Sequence, residues 1–286
     1  MAEEEWVFIV TARSGAPPRS IKKLMTDVFD LIEKKIERIE RDVDKLRVRD
    51  KEADDFKVQE EVFDEPTLKA LYHLASSGLI QALGGVISTG KEANVFHALG
   101  PDKRELAIKI YRIKTSDFKA MQDYILGDHR FARVKKAKKD VVFAWTKKEF
   151  RNLTRASKAR VRVPEPLKYR ENVLVMEFMG KDGVAFPLLK QAIDSVENVE
   201  QVYQTTIEFM KRLYRDARLV HADLSEYNIL IDEQGDPVFI DMGQSVLTDH
   251  PRAQEFLRRD VSNIIKFFNE YGFAASEITV LREIIE

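Results

Sequence analysis

Apolar positions recur along the chain with two different periods, and the changes between them outline its organisation. A short apolar run, Trp6 to Val10, follows Glu3, Glu4 and Glu5 and precedes Gly15, Ala16, Pro17 and Pro18, which predicts a tail and a break over residues 1–20. Met25, Phe29, Ile32, Ile36, Ile39, Val43 and Leu46 then step by four and three, the spacing of one long amphipathic helix. Such a helix packs against its own domain or pairs in a coiled-coil dimer, and the oligomeric state, monomer or dimer, stays open. A charged linker reaches residue 61. Pro66 sets up a second helix through Ser76, with Gly78 as its stop.

Shorter runs bounded by turn residues come next: 83–87, 94–99 and 106–111 predict an antiparallel meander. Residues 112–144 are rich in Lys and Arg with weak periodicity, so an insertion with at most one helix is expected there. Residues 145–158 read as a helix and 172–176 as a buried strand. Val199, Val202, Thr206, Phe209, Met210 and Leu213 mark a helix within 195–218. Two strands, 228–231 and 237–240, are joined by the turn Asp232-Glu233-Gln234-Gly235, and helices at 251–271 and 276–285 follow. Strands early and helices late give an α+β protein of two lobes, with the cleft between them as the default ligand site.

Composition narrows the chemistry. The chain of 286 residues, 44% hydrophobic and 33% charged, is that of a globular protein with a sizeable core. Without cysteine it has no disulfide, thiolate zinc site, iron–sulfur cluster or cysteine nucleophile, so any metal must sit on oxygen or imidazole. The early apolar run is too short to span a membrane and follows acidic residues, unlike a signal peptide, so a cytoplasmic protein with no membrane partner is expected. His73 and His250 form no metal-ligand pattern. The net charge of −1 hides an excess of +12 over residues 130–170, where fifteen Lys/Arg face three Asp/Glu.

The sharpest local signal is His221-Ala222-Asp223-Leu224-Ser225-Glu226-Tyr227-Asn228, followed by Asp241-Met242-Gly243. An Asp with an Asn five residues on, and a second Asp after a hairpin, gathers oxygen ligands about one point. Asn228 and Asp241 suit magnesium, while Asp223 would accept a hydroxyl proton or orient a nucleophile. Either half alone is equally an Asx turn entering a hairpin. Upstream, Ser88-Thr89-Gly90-Lys91-Glu92-Ala93 lies between two predicted strands, where small residues let backbone N–H groups approach phosphate; a plain hairpin turn is the alternative. Lys109 sits within an apolar strand, where a buried ammonium needs an anion unless it lies on an exposed face. Glu149 could supply the carboxylate, or could close a capping box with Thr146 at the start of its helix.

Together, a phosphate loop, strand lysine, helix glutamate, H-x-D-x4-N and D-x-G come in the order of the protein-kinase signature set. The wording S-T-G-K-E-A-N-V-F, V-H-A-D-L-S-E-Y-N and I-D-M-G-Q resembles the RIO family of atypical serine/threonine kinases over about residues 62–272. Within that family it resembles the Rio-one subfamily, and the compact length resembles its archaeal-type members. The resemblance implies a protein-kinase-like fold: an N-lobe over 62–179, with an antiparallel sheet, phosphate loop and basic insertion, and a helical C-lobe over 180–286. The C-lobe would lack the usual activation segment and peptide-docking helices. It also implies ATP and Mg2+ as cofactors, with Mn2+ as an alternative ion. Ser88, Thr89, Gly90, Lys91, Glu92, Ala93 and Val95 would cover the ATP phosphates, and Lys109 would contact them while paired with Glu149. Met176 would be the gatekeeper, and the backbone at Glu177 and Met179 would hold adenine. Asp223 would be the catalytic aspartate, Asn228 and Asp241 the metal ligands, and Asp241 also the acceptor in an aspartyl-phosphate intermediate.

Departures from ordinary protein kinases are visible too. Only Gly90 of the usual three loop glycines is kept, Ser225 stands in a lysine's place, and no Ala-Pro-Glu follows Asp241. The leading expectation is an autophosphorylating serine/threonine kinase and ATPase acting in maturation of the small ribosomal subunit. Its partner would be the pre-small-subunit particle and its rRNA, met through residues 130–170. Lys135, Lys136, Lys138, Lys139, Lys147, Lys148 and Arg151, with Phe143 and Trp145, would carry that contact, unless the stretch is a solvated charged face. The alternatives are a nucleotide-gated RNA- or ribosome-binding assembly factor and a small-molecule phosphotransferase.

Overall fold

The computed structural model describes residues 7–8, 63–114, 116, 118–132, 134–135 and 137–286. The long amphipathic helix, the linker to residue 61 and most of the proposed tail lie outside the described residues. Within the tail, Val7–Phe8 form a strand, β1, paired antiparallel with Leu83 and Ala82.

Helix α1, Glu65–Ser76, begins where the carboxylate of Asp64 accepts from the Thr67 N–H at 3.0 Å, with Pro66 in its first turn. It ends just before Gly78, whose φ of +78° reverses the chain without a side-chain clash. The expected meander follows as β2 (Ala82–Thr89), β3 (Ala93–Leu99) and β4 (Glu105–Tyr111).

The basic stretch holds more structure than its composition suggests. Helix α2, Phe118–Leu126, is followed by a turn and then by α3, Lys138–Lys158, which starts seven residues before the predicted helix. Val141, Val142, Ala144 and Trp145 bury one face of its early turns against Met121, Ile125 and Phe131. At about 1.5 to 3 kcal/mol for each large apolar side chain, this burial outweighs the charges along the helix. β5, Pro166–Arg170, was not expected; it is an edge strand that keeps Lys168 and Arg170 in solvent. With β6 (Val173–Glu177) it completes a six-stranded antiparallel sheet in the order β1-β2-β3-β4-β6-β5.

The chain then enters a mainly helical half. Two short strands, β7 (Gly180–Lys181) and β8 (Val184–Ala185), and a single turn, α4 (Leu189–Ala192), lead into α5, Val199–Arg215. The strand β9 (Leu219–Val220) and the hairpin β10 (Ile229–Ile231) and β11 (Pro237–Phe239) follow, with β12 (Val246–Leu247) pairing back to β9. Asp232 closes the hairpin turn by accepting from Gln234 N and Asp236 N, both at 2.9 Å. Helices α6 (Ala253–Asn269) and α7 (Glu277–Ile285) end the chain; α7 packs on both α5 and α6, and Tyr203 of α5 meets Phe268 of α6 edge-on at 5.2 Å. Their core runs through Met210, Phe239, Phe256 and Phe268 to Leu174 and Met176 of the sheet, so one continuous core joins the two lobes.

Candidate active site

Three polar side chains meet at the junction of the sheet, α3 and the β11–β12 connection. Lys109, in the centre of β4 opposite Val95, donates to Glu149 Oε1 at 2.8 Å and to Asp241 Oδ1 at 2.9 Å. The lysine side chain is 9% exposed and Glu149 1%, whereas Asp241 is 50% exposed. Strand Lys109 is therefore neither on a solvated face nor isolated. Burial works against its charge, yet Asp241 and Glu149 hold the ammonium well above the usual lysine range. Burial likewise pushes Glu149 upward against the pull of Lys109. Because Glu149 accepts from Lys109 on one oxygen and from the Tyr111 hydroxyl on the other, the geometry is that of an ionised carboxylate. Burial alone would raise Asp241 too, but the charge and hydrogen bond of Lys109 keep it below the usual range.

The capping-box alternative for Glu149 does not form. Thr146 lies inside α3, and its hydroxyl donates to the Val142 carbonyl at 3.0 Å.

Asp223 approaches from the loop between β9 and β10. Its Oδ2 accepts from Gln244 Nε2 at 3.0 Å and Asn228 Nδ2 at 3.3 Å, and its carbonyl accepts from Asn228 Nδ2 at 2.7 Å. Burial raises its carboxyl, and the nearby Asp241 charge adds to the effect. Both bonds of Asn228 are donated by Nδ2, and its Oδ1 has no partner among the described residues. His221 is buried, and its Nε2–H donates to Ile240 O at 3.0 Å, because a carbonyl oxygen can only accept. Burial pushes this histidine down to about 4, so it is neutral at pH 7.

Residues that sequence reasoning missed hold these loops in place. Asp260 on α6 is 1% exposed and accepts from Ala222 N at 2.7 Å and Leu224 N at 2.9 Å. Ala222 has φ +67°, and Asp241 has φ +60°; both conformations are costly for residues with a Cβ and need such anchoring. On α3, one turn of helix reaches the loop after Asp241. Lys148 Nζ donates to Gly243 O at 2.8 Å and Ser245 O at 2.5 Å, and Asn152 Nδ2 donates to Met242 O at 2.9 Å and Ser245 O at 2.8 Å. Lys148 and Trp145 are thus core residues, at 0% and 2% exposure, and not part of a surface for nucleic acid. The i, i+3 and i, i+4 spacing from Glu149 and Trp145 was the available signal, hidden by the run of neighbouring charges.

The remaining expected residues are distributed as follows. Ser88, Thr89, Gly90 and Lys91 are exposed at the β2–β3 turn, Glu92 is half-buried and Ala93 buried. Gly90 N–H donates to Ala93 O at 2.9 Å, and a Cβ at Gly90 would stand 3.1 Å from that oxygen. Met176 is buried opposite Ala107 on the neighbouring strand. Glu177 N–H already donates to Glu165 O, and Met179 O accepts from Phe186 N–H, both at 2.9 Å. The expected adenine contact at these positions therefore narrows to the other backbone group of each.

Comparison with known proteins gives the same direction. A family model described as the RIO domain matches residues 94–281. The chain is 51% identical over 235 residues to the RIO-type serine/threonine-protein kinase Rio1 of Haloferax volcanii, covering 82% of this chain and 80% of that one. It is 45% identical over 215 residues to Rio1 of Methanocaldococcus jannaschii, covering 75% and 72%. It is 41% identical over 248 residues to the serine/threonine-protein kinase RIO1 of Homo sapiens, covering 86% of this chain but 43% of that protein. The solved Rio2 kinase-ADP/Mg2+-phosphoaspartate complex from Chaetomium thermophilum shares the fold, with a TM-score of 0.57 at 24% identity over 72% of this chain and 61% of that one. A domain match over most of the chain, and identity to relatives along most of their own length, show that the chain belongs to the RIO family of atypical serine/threonine-protein kinases, in its Rio1 subfamily, and is a phosphotransferase.

Proposed function

We propose that the chain transfers the γ-phosphoryl group of ATP, with Mg2+, to Asp241 or to a serine or threonine of a protein, and releases phosphate to water when no other acceptor is present. The observation that carries this reading is the buried Lys109, bonded at once to Glu149 and Asp241, beside an Asp223 whose proton affinity is raised. Lys109 would meet phosphate oxygens while Glu149 keeps its ammonium oriented. Ser88 to Val95 would close over the phosphates, and Met176, the Glu177 carbonyl and the Met179 N–H would line the base. Asp223 would receive or direct the acceptor's proton, for which burial has prepared it.

The donor set suits magnesium. Asp241 is half-exposed and ionised, and Asn228 is turned so that Oδ1 is left for another partner. These are hard oxygen ligands, as Mg2+ requires, and Mn2+ would fit the same set. When bound, the ion would supply charge neutralisation on the phosphate oxygens. For transfer to the chain itself, an Asp241 oxygen attacks the γ-phosphorus, the bond from that phosphorus to the β–γ bridging oxygen breaks, and ADP departs with the electron pair. Water then cleaves the acyl phosphate, restoring Asp241. The Rio2 complex from Chaetomium thermophilum, which contains phosphoaspartate, supports this choice of acceptor.

A second reading, a nucleotide-gated assembly factor, is favoured by the short path from Asp241 to α6, which begins at Ala253 and leaves little room for a peptide platform. In both readings the partner is a pre-small-subunit ribosomal particle and its rRNA. The exposed Lys135, Lys138 and Lys139, with the half-buried Lys147 and Arg151, support this.

Transfer from γ-labelled ATP with Mg2+, measured for wild type, Asp223→Ala and Asp241→Asn, tests the proposal. Wild type should label itself and release phosphate, Asp223→Ala should do neither, and hydroxylamine-sensitive label should vanish in Asp241→Asn. ATP binding without label or free phosphate in wild type would leave only the gated factor.

A further inference from the structure

A pocket of about 520 Å3 opens between α3 and the C-lobe, and none of the phosphoryl-transfer residues lines it. Its walls carry four arginines, Arg130, Arg151, Arg155 and Arg218, together with Thr248 and with Thr154, whose hydroxyl donates to Phe150 O at 2.8 Å. Asp249 is the one acid in the lining, and it faces His129 at 3.8 Å, not an arginine. Arg151 and Arg155 are one helical turn apart on the same face of α3, a like-charge pair that is unfavourable without an anion. Among the described residues, no carboxylate is within ion-pair distance of Arg151, Arg155 or Arg218.

Arg130 is neutralised by Asp128 at 2.6 Å, whereas Arg151, Arg155 and Arg218 are positioned without such a partner. Arg151 and Arg130 each lie over the ring of Phe131, with guanidinium carbons 5.5 Å from its centroid, which orients them without cancelling charge. Arg218 holds a left-handed φ of +55°, and its carbonyl accepts from Thr248 N at 3.1 Å, tying two walls of the pocket together. Arg130 uses Nε and Nη2 on Asp128 and Nη2 on Asn152, while its Nη1 is buried without a partner.

We propose that this pocket binds the phosphate of a phosphoserine or phosphothreonine side chain in a polypeptide. Such a group is nearly a dianion at pH 7 with three acceptor oxygens, which matches a cluster of arginines that lack carboxylate partners beside the hydroxyl of Thr248. The volume takes one side chain and its flanking backbone. A nucleic-acid backbone carries one charge per phosphate along a track and suits the exposed Lys135, Lys138 and Lys139 around the start of α3 better than a compact arginine cluster. A serine/threonine kinase also generates this ligand class. The pocket would then dock a phosphorylated segment, its own or a partner's, beside the helix that carries Glu149.

The test uses the full chain and a fluorescein-labelled peptide, Gly-Ala-phosphothreonine-Ala-Gly, followed by anisotropy. Saturable binding is expected, weakened at least about tenfold for the unphosphorylated peptide and for the Arg155→Gln, Arg218→Gln double variant, as befits loss of charged hydrogen bonds. Both arginines are exposed, so the fold should persist; Thr248→Glu, which adds an acid to the pocket, should weaken binding independently. Lys109→Met should retain the affinity, which separates this pocket from the nucleotide site. Equal binding of the two peptides, or loss of binding in Lys109→Met but not in the arginine variant, would overturn the proposal. So would binding of a decauridylate that depends on Arg155 and Arg218 when the phosphopeptide does not bind. Inhibition by inorganic phosphate at millimolar concentration would support it.

Discussion

Replacing Lys148 by methionine tests how the loop after Asp241 is held. The lysine is fully buried, stands 5.2 Å over the Trp145 ring and donates to the carbonyls of Gly243 and Ser245. Burial pulls it down from 10.5 to about 7, with Asp128 resisting. The unfolded chain keeps this proton up to about pH 10.5, whereas the folded chain releases it near 7. In that window the unfolded state binds the extra proton, so the free energy of unfolding rises with pH. Each pH unit well above 7 is worth about 1.4 kcal/mol, and because the folded lysine is still half protonated at pH 7 the gain between pH 7 and 9 from this residue alone is about 2 kcal/mol. Methionine fills nearly the same space and does not titrate. It leaves Gly243 O without its donor, at a cost of about 1 to 3 kcal/mol, while Ser245 O keeps Asn152. Urea unfolding followed by tryptophan fluorescence at pH 7, 8 and 9 gives the comparison, with an unchanged denaturant slope confirming the same unfolding reaction. Wild type should gain on Lys148→Met by about 2 kcal/mol across that range. Parallel curves would refute the reasoning and show that the two carbonyls replace water well enough to keep the ammonium charged.

Asp260→Asn turns an amide N–H against one of two backbone donors, so phosphoryl transfer should fall about tenfold or more while the KM for ATP stays near wild type, because the Lys109 side of the site is untouched. Gly243→Ala places a Cβ 2.9 Å from Trp145 Nε1 and 3.2 Å from the Tyr111 hydroxyl, both immobile, and should cost about 1 to 3 kcal/mol in urea unfolding. Lys109→Met removes the cation beside Glu149, which burial already raises, so the variant should lose stability as pH rises from 5 to 8, when the unfolded carboxylate is ionised and the buried one resists ionising. Stability of this variant that is flat across that range would contradict the buried ion pair.

The strands of the meander and the hairpin at residues 229–239 were legible as short apolar runs bounded by turn residues, and the two C-terminal helices were legible as well. The helix Lys138–Lys158 was half legible. Its apolar face, Val141, Val142 and Trp145, is interleaved with Lys138, Lys139, Lys147 and Lys148, and no side chain caps Ala137 to mark its start. The edge strand Pro166–Arg170 was missed because solvent takes half its residues and Pro166 argues against a ladder. In the site, the meeting of Lys109 with Glu149 and Asp241, and of Asp223 with Asn228, was legible because residue type and spacing pointed to those pairs. Asp260, Lys148 and Asn152 were not, because each acts on backbone groups far along the chain, and such partners leave no local pattern.

Helix α3 bears Glu149 on the same turns as Lys148 and Asn152, so a single rigid rod grips both the strand lysine and the three carbonyls of the loop that carries Asp241. In kinases where the corresponding helix swings, losing the lysine–glutamate pair is an inexpensive off position. Here the same swing would also pull away four donated hydrogen bonds, at about 1 kcal/mol or more each, and would strand carbonyls in an apolar interior. The rod behaves as a bolt and not as a lever. Among the described residues, the occupant of the cleft and the exposed loop at residues 88–91 are freer to change than this helix.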